Sequence, residues 1–307
     1  DGNTIYLNTF DNTKNARSWS VNSWHSPIEF EHGGYTTYVG NRWSDYTGSD
    51  SNGDGIGDSP YEIPGLEVPE KDNYPIKEMK NVVFPGNSIQ AAINAANSGD
   101  TIIVLSGTYR ENMVVDKQLT LRGVDTGTGQ PIVDAGGSGS AITLSADGCT
   151  LEGFVATNSG TEYPCAGISV TSDGNTISGN NVSSNNWGGI RLDSSSGNTI
   201  SSNTVTDNAA TGIYLVSSSD NNIISDNSAT GNTLNGISLS SCTDNSISSN
   251  TATANSYGIS LSSCTDNSIS SNTVTNNLNS GIVLYSSLYN TISSNTATTN
   301  KHGISLS

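Results

Sequence analysis

The chain has 307 residues and a formal net charge of −17, with only 13% charged and 33% hydrophobic residues. Globular domains usually contain about a quarter charged and nearly half apolar residues. Here 38 Asn and 33 Gly fill much of the difference. Low hydrophobicity without high charge density argues against disorder and against an ordinary α/β domain, and favours a β-rich repeat protein.

Composition also excludes several functional classes. No run of 18 apolar residues occurs, so no membrane-spanning helix is predicted. The 11 Lys and Arg residues are scattered and form no basic patch, which argues against nucleic acid as a partner. The four cysteines form no CxxC pair, so a zinc or redox motif is not expected.

Residues 1–80 form a loop-rich aromatic segment with three of the four tryptophans. Its aromatic residues are favoured to pack a small subdomain that lacks other apolar material, and stacking on sugar rings is the alternative. The aromatic residues concerned are Trp19, Trp24, Tyr35, Tyr38, Trp43 and Tyr46.

An acidic loop within this segment matches the start of a calcium loop. Oxygen ligands at positions 1, 3, 5 and 9, with a backbone carbonyl at position 7, can wrap a hard cation. The predicted Ca²⁺ ligands are Asp50, Asn52, Asp54, Ile56, Asp58 and Glu62. Position 12 is Tyr61, so Glu62 or a distant carboxylate such as Asp45 or Asp72 would complete the site. An acidic surface turn without metal is the alternative.

The next element is a predicted helix that begins after Ser88. Ser suits an N-cap, and Ile89, Ala92 and Ile93 form one apolar face. The run Thr101-Ile-Ile-Val-Leu reads as the first strand of the following coils. A short amphipathic helix that covers the open end of a solenoid protects its exposed edges.

From Gly167 onward the chain repeats itself every 22 to 24 residues. Each unit reads roughly G-I-x-L-x-S-x-x-x-N-x-I-x-x-N-x-V/A-x-x-N, which gives three short alternating strands with Asn and Gly at the corners. This pattern predicts an all-β, parallel β-helix. The glycines that mark the phase are Gly167, Gly189, Gly212, Gly236, Gly258, Gly281 and Gly303.

Two asparagine ladders are expected along this solenoid, because equivalent positions recur about 4.8 Å apart in stacked coils. The predicted columns are Asn245, Asn267, Asn290 and Asn250, Asn272, Asn295.

The cysteines fit the same coils. Cys242 and Cys264 lie one coil apart in two copies of Ser-Cys-Thr-Asp-Asn, so a disulfide and a reduced stacked pair are both compatible with the sequence. Cys149 and Cys165 precede the regular repeats and could also pair.

Residues 85–123 carry the motifs of a family resemblance that covers nearly the whole chain. Pro85-Gly-Asn-Ser-Ile-Gln-Ala-Ala-Ile, Gly99-Asp-Thr-Ile-Ile-Val, Gly107-Thr-Tyr and Leu119-Thr-Leu-Arg-Gly resemble the start of NosD-like right-handed parallel β-helices. That family is also described as carbohydrate-binding and sugar-hydrolase (CASH) repeats, and the Asn-rich form here most resembles archaeal cell-surface proteins. The resemblance implies the β-helix fold and an extracellular or cell-surface location. The family includes surface proteins, accessory proteins and polysaccharide-active enzymes.

Two domains are predicted, residues 1–80 and residues 81–307. The first resembles the closing tail of a β-helix, and the second has a helical cap at one end and an open coil at the other. Asp1-Gly-Asn-Thr-Ile matches Asp173-Gly-Asn-Thr-Ile inside the repeats. Three arrangements are compatible with this match: the chain is a piece of a longer tandem surface protein, the open coil of one chain accepts the first strands of the next, or the first strands fold back onto the open coil of the same chain.

The sequence therefore favours a structural extracellular protein of a surface layer, sheath or filament, which assembles head to tail with itself. The alternative is a polysaccharide-binding or polysaccharide-cleaving surface protein. Catalysis is disfavoured, because the coils hold few cations and no evident pair of catalytic carboxylates. Residues weighed for such a role are Arg191, Lys301, Asp193, Asp220, Asp244 and Asp266.

Overall fold

The computed structural model describes residues 2–12, 14–18, 21–27, 29–32, 35–52, 55–65, 70–77 and 81–307, with the backbone alone at residues 30–32, 35 and 36. The chain folds as two compact units, residues 1–84 and residues 85–307. No helix in this described part of the chain is long and apolar enough to cross a membrane.

The first unit consists of short strands and loops. Its strands are β1 (Thr9–Phe10), β2 (Phe30–His32), β3 (Tyr35–Thr37), β4 (Arg42–Trp43), β5 (Tyr61–Ile63), β6 (Glu70–Asp72) and β7 (Val82–Val83). Strands β1 and β4 pair in parallel, whereas β2–β3 and β5–β6 are antiparallel hairpins.

A buried carboxylate organises the core of this unit. Asp72 is fully buried and accepts hydrogen bonds from the backbone and side-chain amides of Asn41, from Trp43 Nε1 at 2.9 Å and from the amide of Tyr74 at 3.0 Å. Burial raises the pKa of Asp72, although these hydrogen bonds oppose the shift. The carboxylate thus links neighbouring loops beside the apolar cluster of Trp24, Trp43 and Ile63.

The second unit begins with one helix, α1 (Ile89–Ala95). Ser88 is its N-cap, and the Ser88 hydroxyl accepts the amide N–H of Ala91 at 3.1 Å, as the sequence predicts. The carboxylate of Glu111 accepts the amides of Ile89 and Gln90, which satisfies further N–H groups of the first turn. The helix packs against the first coil and buries its two isoleucines.

The rest of the second unit is a right-handed parallel β-solenoid of about ten turns, which confirms the predicted fold class. Its coils contribute strands to three parallel sheets. The first sheet contains β8 (Thr101–Leu105), β11 (Thr120–Val124), β14 (Thr150–Glu152), β17 (Thr176–Ser178), β20 (Thr199–Ser201), β23 (Ile223–Ser225), β26 (Ser246–Ser248), β29 (Ser268–Ser270) and β32 (Thr291–Ser293). The second contains β9 (Thr108–Tyr109), β12 (Ile132–Asp134), β15 (Val155–Thr157), β18 (Asn181–Ser183), β21 (Thr204–Thr206), β24 (Ser228–Thr230), β27 (Thr251–Thr253), β30 (Thr273–Thr275) and β33 (Thr296–Thr298). The third contains β10 (Met113–Val115), β13 (Ile142–Leu144), β16 (Ala166–Val170), β19 (Gly188–Asp193), β22 (Ile213–Val216), β25 (Asn235–Ser240), β28 (Tyr257–Ser262), β31 (Ser280–Tyr285) and β34 (His302–Leu306).

The register of the sheets places identical or similar residues of successive coils directly next to one another. Ile177 pairs with Ile200, which pairs with Ile224, and all three are fully buried. In the second sheet Val182 pairs with Val205 in the same way. Thin columns of Ile, Leu, Val and Ala therefore form most of the apolar interior.

Buried asparagines form ladders at the corners. Asn227 donates its backbone N–H and its Nδ2 to Oδ1 of Asn250, each at 3.0 Å. Asn250 Nδ2 also donates to the carbonyl of Ile224 at 2.8 Å. Both predicted ladders are confirmed, and a third is present. The three columns are Asn175, Asn198, Asn222, Asn245, Asn267, Asn290; Asn180, Asn203, Asn227, Asn250, Asn272, Asn295; and Asn185, Asn208, Asn232, Asn255, Asn277, Asn300.

All four cysteines are free thiols. Of the two arrangements that the sequence allows for Cys242 and Cys264, the structure contains the reduced one. Both are fully buried, and each Sγ donates to a backbone carbonyl in its own coil.

A single rung of the ladder is predicted to carry a large share of stability. Asn250→Ala removes the acceptor of the Asn227 backbone N–H, one of the two acceptors of Asn227 Nδ2, and a donor to the carbonyl of Ile224. A buried polar group without a partner costs about 1–3 kcal/mol, so the free energy of unfolding should fall by roughly 2–5 kcal/mol. Chemical denaturation checks this against the exposed Asn87→Ala control. Equal losses for the two variants would contradict the role of the ladder.

Candidate functional site

The outward-facing residues of the third sheet form the candidate site. Along β19, Ile190 and Leu192 point into the solenoid and are fully buried, so Arg191 between them points outward. Arg191 pairs with Ser169 on one side and with Tyr214 of β22 on the other. An arginine and a tyrosine thus occupy adjacent rungs of the outer face.

Two corner loops bring further aromatic rings beside Arg191. Tyr163 comes from the loop before β16, and Trp187 from the corner before β19. The ring centroids of Tyr163 and Trp187 lie 5.3 Å apart at an angle of 74°, and those of Trp187 and Tyr214 lie 6.2 Å apart. We call the group of Tyr163, Trp187, Arg191, Asp193 and Tyr214 the aromatic–arginine patch.

The arginine of the patch is held by its neighbours. Arg191 Nη2 donates to Asp193 Oδ2 at 2.7 Å and to the hydroxyl of Tyr163 at 2.8 Å, and its guanidinium carbon lies 4.9 Å from the Tyr163 ring centroid. Arg191 is only 2% exposed, because the tyrosine covers it, whereas Tyr163 itself is 57% exposed. Arg191 Nε is buried and has no hydrogen-bond partner among the described residues.

The charges of the patch suit binding. Burial raises the pKa of Asp193, but the hydrogen bond and the charge of Arg191 outweigh it and hold the pKa below its usual value. Burial raises the pKa of Tyr214, so its phenol stays protonated at neutral pH. The patch therefore contains aromatic rings beside an ion pair whose two charges cancel, together with hydrogen-bond donors and acceptors in fixed positions.

The other acidic residues considered for catalysis have structural positions. Asp244 and Asp266 occupy equivalent corners and have positive φ values of 55° and 56°, as expected for corner residues. Asp220 accepts the amide of Thr243 from the next coil at 2.6 Å. Asp220 thus links two coils, whereas Asp244 and Asp266 lie at corners.

The acidic loop of the first unit is folded partly onto itself. Asp50 Oδ2 accepts the amide of Gly55 at 3.0 Å, and Asp58 Oδ2 accepts the hydroxyls of Ser49 and Ser51. Hydrogen bonds from Ser51 and Ser49 hold the pKa of Asp58 below its usual range. Hydrogen bonds within the loop thus fix the orientation of Asp50 and Asp58, the predicted ligands at its two ends.

The remaining predicted ligands are more dispersed. Ile56 forms an antiparallel bridge with Ile76, whereas Glu62 lies on a hairpin and pairs with Lys71 at 3.5 Å. Asn52 is exposed, and Asp54 lies outside the described residues. Two distant carboxylates were considered as substitute ligands. Asp72 is buried and hydrogen-bonded in the core of the first unit, and Asp45 accepts hydrogen bonds from Asn15 Nδ2 and from the hydroxyl of Tyr61. No group of three or more metal-ligating His, Cys, Asp or Glu side chains is present in the described part of the chain.

Aromatic residues of the first unit mostly serve packing. Trp24 and Trp43 are 5% and 3% exposed. The Trp43 ring stacks between Phe10 at 4.5 Å and Tyr61 at 4.1 Å. Packing is therefore the correct interpretation for both tryptophans, whereas Trp19 and the side chain of Tyr35 lie outside the described residues.

Comparisons with known proteins agree with this fold. Residues 166–307 match the family model described as "Right handed beta helix region". A search of curated proteins finds no match. The finer NosD-like, CASH and archaeal assignment stays a prediction.

Several solved structures are similar at low identity. An alginate lyase from Paenibacillus sp. str. FPU-7 has a TM-score of 0.44 and 15% identity over 71% of this chain and 95% of its own. The A-module of an Azotobacter vinelandii mannuronan C-5 epimerase has a TM-score of 0.44 and 14% identity, with 71% and 93% covered. The Dettilon tailspike protein has a TM-score of 0.48 and 14% identity, with 74% and 68% covered. Likenesses this distant carry no argument about activity.

Sequence reasoning considered Arg191 and Asp193 separately and missed the patch. A signal was present, because the outward position that holds Arg191 and Tyr214 is Ser169, Ser238 or Ser260 in other coils. A residue other than serine at this repeated outward position therefore identifies a coil whose outer surface differs from that of the serine-bearing coils.

Because the patch contains an ion pair between Arg191 and Asp193, we expect the stability that this pair contributes to be lost at acid pH. The folded-state pKa of Asp193 lies below its usual value of 3.8, so the stability it contributes is present above that value and lost as pH falls through the folded pKa. Asp193→Asn should therefore lessen the loss of stability between neutral pH and the acid range. Thermal melts from pH 7 to pH 2 measure this, and Asp116→Asn at an exposed position is the control. An acid dependence equal to that of the parent chain would contradict the prediction.

Proposed function

We propose that the protein is an extracellular polysaccharide-binding β-helix protein and that the aromatic–arginine patch contacts the glycan. The observation that carries the proposal is the gathering of three aromatic rings around a hydrogen-bonded Arg191–Asp193 pair, at outward positions that hold Ser, Thr or Val in the other coils. Binding sites combine apolar surface with a few polar groups that fix the orientation of the ligand. The apolar faces of sugar rings pack on aromatic rings, and their hydroxyl groups pair with planar donors and acceptors.

The charge of the chain favours an uncharged glycan. Arg191 and Asp193 compensate each other, and the chain as a whole carries −17. A strongly negative protein repels polyanions over a Debye length of about 10 Å at 0.1 M salt. A neutral polysaccharide rich in hydroxyl groups is therefore the ligand that the patch suits best.

Retention on insoluble polysaccharides tests the proposal. Cellulose, chitin and xylan serve as neutral ligands, and calcium-gelled alginate beads serve as the acidic one. We expect at least one neutral polysaccharide to retain the protein more strongly than alginate. Trp187→Ala and Tyr163→Ala should each weaken binding about tenfold, which corresponds to about 1.4 kcal/mol.

The matched control is Tyr289→Ala, which removes an 82% exposed tyrosine outside the patch. Binding should be unchanged in this variant, and circular dichroism confirms that all three variants fold. The absence of retention on every neutral polysaccharide, or an equal loss in the control, would refute the proposed function.

We also propose that Ca²⁺ stabilises the acidic loop of the first unit. Support comes from the spacing of Asp50, Asn52, Asp54 and Asp58, and from the turn that Asp50 closes with the amide of Gly55. A cation bound only to the folded form raises the free energy of unfolding.

Melting in calcium and in EDTA tests this second proposal. The transition of the first unit, followed by near-ultraviolet circular dichroism of its stacked tryptophans, should shift to higher temperature in calcium. Asp50→Ala should abolish the shift, whereas Asp116→Ala should retain it. The same melting temperature in calcium and in EDTA would rule out a role for the ion.

A further inference from the structure

The first unit contains a cavity of about 720 Å³ apart from its acidic loop. Its walls are residues 14–17 from the loop after β1, Asp45 after β4, Tyr61 at the start of β5, and Pro64 and Gly65 just after that strand. We call this space the lysine–arginine cavity. Its volume lies within the range of about 300–1,000 Å³ that is usual for small-molecule sites.

Asn15 anchors the loop that carries the two cations of the cavity, Lys14 and Arg17. Its Oδ1 accepts the backbone N–H of Asn12 at 2.7 Å, and its Nδ2 donates to Oδ1 of Asp45 at 2.6 Å. Lys14 and Arg17 lie on either side of this anchor in the sequence, and both are exposed. The loop therefore holds the two cations beside Asp45, while their side chains stay accessible to a ligand.

An aromatic ring and a methyl group form the apolar part of the wall. The Tyr61 ring stacks on Trp43, with centroids 4.1 Å apart and planes 8° from parallel, and it also lines the cavity. Tyr61 and Ala16 both pack against the buried core cluster of the first unit. The core thus supports this apolar wall from behind.

Asp45 is held by two hydrogen bonds at the edge of the cavity. Its Oδ1 accepts Asn15 Nδ2, and its Oδ2 accepts the hydroxyl of Tyr61 at 3.1 Å. Burial and the hydrogen bond to Asp45 raise the pKa of Tyr61, so the phenol stays protonated and keeps donating at neutral pH. Each carboxylate oxygen has a further lone pair that can accept a ligand hydroxyl.

The charge of the cavity is opposite to that of the chain. Among the described lining residues, Lys14 and Arg17 carry two positive charges against the one negative charge of Asp45, whereas the whole chain carries −17. The chain has only 11 Lys and Arg residues, so two in one cavity are a local concentration of positive charge. The Lys14 ammonium has no ion pair within the described part of the chain. The cavity therefore favours a ligand with one negative charge.

A carboxylate fits this charge better than a phosphate monoester does. A carboxylate carries one charge at neutral pH, whereas a phosphate monoester carries about −1.5 to −2. The guanidinium of an arginine pairs with the two oxygens of a carboxylate through parallel N–H groups. A sugar ring that bears the carboxylate would place an apolar face against the aromatic wall and its hydroxyl groups near Asp45.

We propose that the lysine–arginine cavity binds a sugar acid, a six-membered sugar ring with one carboxylate. Lys14 and Arg17 pair with the carboxylate. The wall of Tyr61 and Ala16 contacts the apolar face of the ring, and Asp45 accepts its hydroxyl groups. The site uses no residue of the aromatic–arginine patch, so the inference goes beyond the binding of a neutral polysaccharide and does not depend on it.

A single sugar acid is compatible with the negative charge of the chain. Attraction between charges about 4 Å apart exceeds the repulsion from charges beyond the Debye length of about 10 Å at 0.1 M salt. A polyanion, in contrast, meets the negative surface along its whole length. A free monosaccharide or the end unit of a glycan chain is thus the form of sugar acid that suits the cavity.

Isothermal titration calorimetry of the full chain with D-glucuronate tests the proposal. D-Glucuronamide is the matched neutral ligand, because it replaces only the carboxylate with an amide. We expect glucuronate to bind at least ten times more tightly than the amide, a difference of about 1.4 kcal/mol. Raising the salt concentration from about 0.05 to 0.5 M should weaken the binding of glucuronate, because salt screens the two cations.

Variants of the two cations test the roles of Lys14 and Arg17. Lys14→Gln and Arg17→Gln should each weaken glucuronate binding about fivefold or more, because each loses a charged donor to the carboxylate. Near-ultraviolet circular dichroism of the Trp43 stack checks that both variants fold. Lys71→Gln removes an exposed lysine of the same unit outside the cavity, and it should bind like the parent chain.

Methyl β-D-glucuronide distinguishes the two sources of this chemistry. Its methyl group represents the next sugar of a chain. Binding equal to that of glucuronate supports the end unit of a glycan as the ligand, whereas binding of glucuronate alone supports a free sugar acid.

Several results would overturn the proposal. These are the absence of glucuronate binding, equal affinity for glucuronate and glucuronamide, tighter binding of D-glucose 1-phosphate than of glucuronate, and unchanged affinity in both Lys14→Gln and Arg17→Gln. Retention on a neutral polysaccharide by a chain that does not bind glucuronate would leave the proposed function intact while this inference fails.

Discussion

The asparagine ladder is the interaction on which the solenoid depends. The side-chain amide of Asn250, for example, receives two donors from the coil before it and donates to a carbonyl of that coil. An apolar side chain at these corners would leave buried backbone groups unpaired, at a cost of about 1–3 kcal/mol each. The ladder also fixes the register, because a shift by one residue would remove the amides from their column. A chain that is only 33% hydrophobic can therefore fold, because the asparagine ladders and the thin columns of apolar side chains together hold the coils in place.

Because corners and interior are fixed by the stack, outward positions can vary without affecting the fold. Other coils hold Ser, Thr or Val there, whereas Arg191 and Tyr214 occupy two adjacent rungs. The rigid sheet then holds the guanidinium in one orientation, and the corner rings of Tyr163 and Trp187 complete the patch. Rigid elements position binding groups more accurately than loops do, since their backbone is fixed on both sides.

The first unit shows that ladder geometry does not require a regular repeat. Asn8 and Asn41 make the same rung as two asparagines of adjacent coils, although the chain between them contains an antiparallel hairpin. Asp72 then compensates for the missing columns by binding Asn41, Trp43 and Tyr74 at once. The same asparagine hydrogen bonds thus occur in both the periodic second unit and the irregular first unit.

The sequence by itself determined the β-helix and two ladders, because these follow from a pattern that recurs every 22 to 24 residues, and it determined the Ser88 cap from the local preference of serine for helix N-termini. It also predicted an acidic calcium-type loop, which stays a prediction. Only the tertiary structure decided the patch, since Tyr163 and Arg191 are 28 residues apart and meet only when coils stack. The reduced state of Cys242 and the commitment of Asp72 to the core were likewise set by packing. Periodic contacts leave a trace in the sequence, whereas contacts between one loop and one outward rung do not.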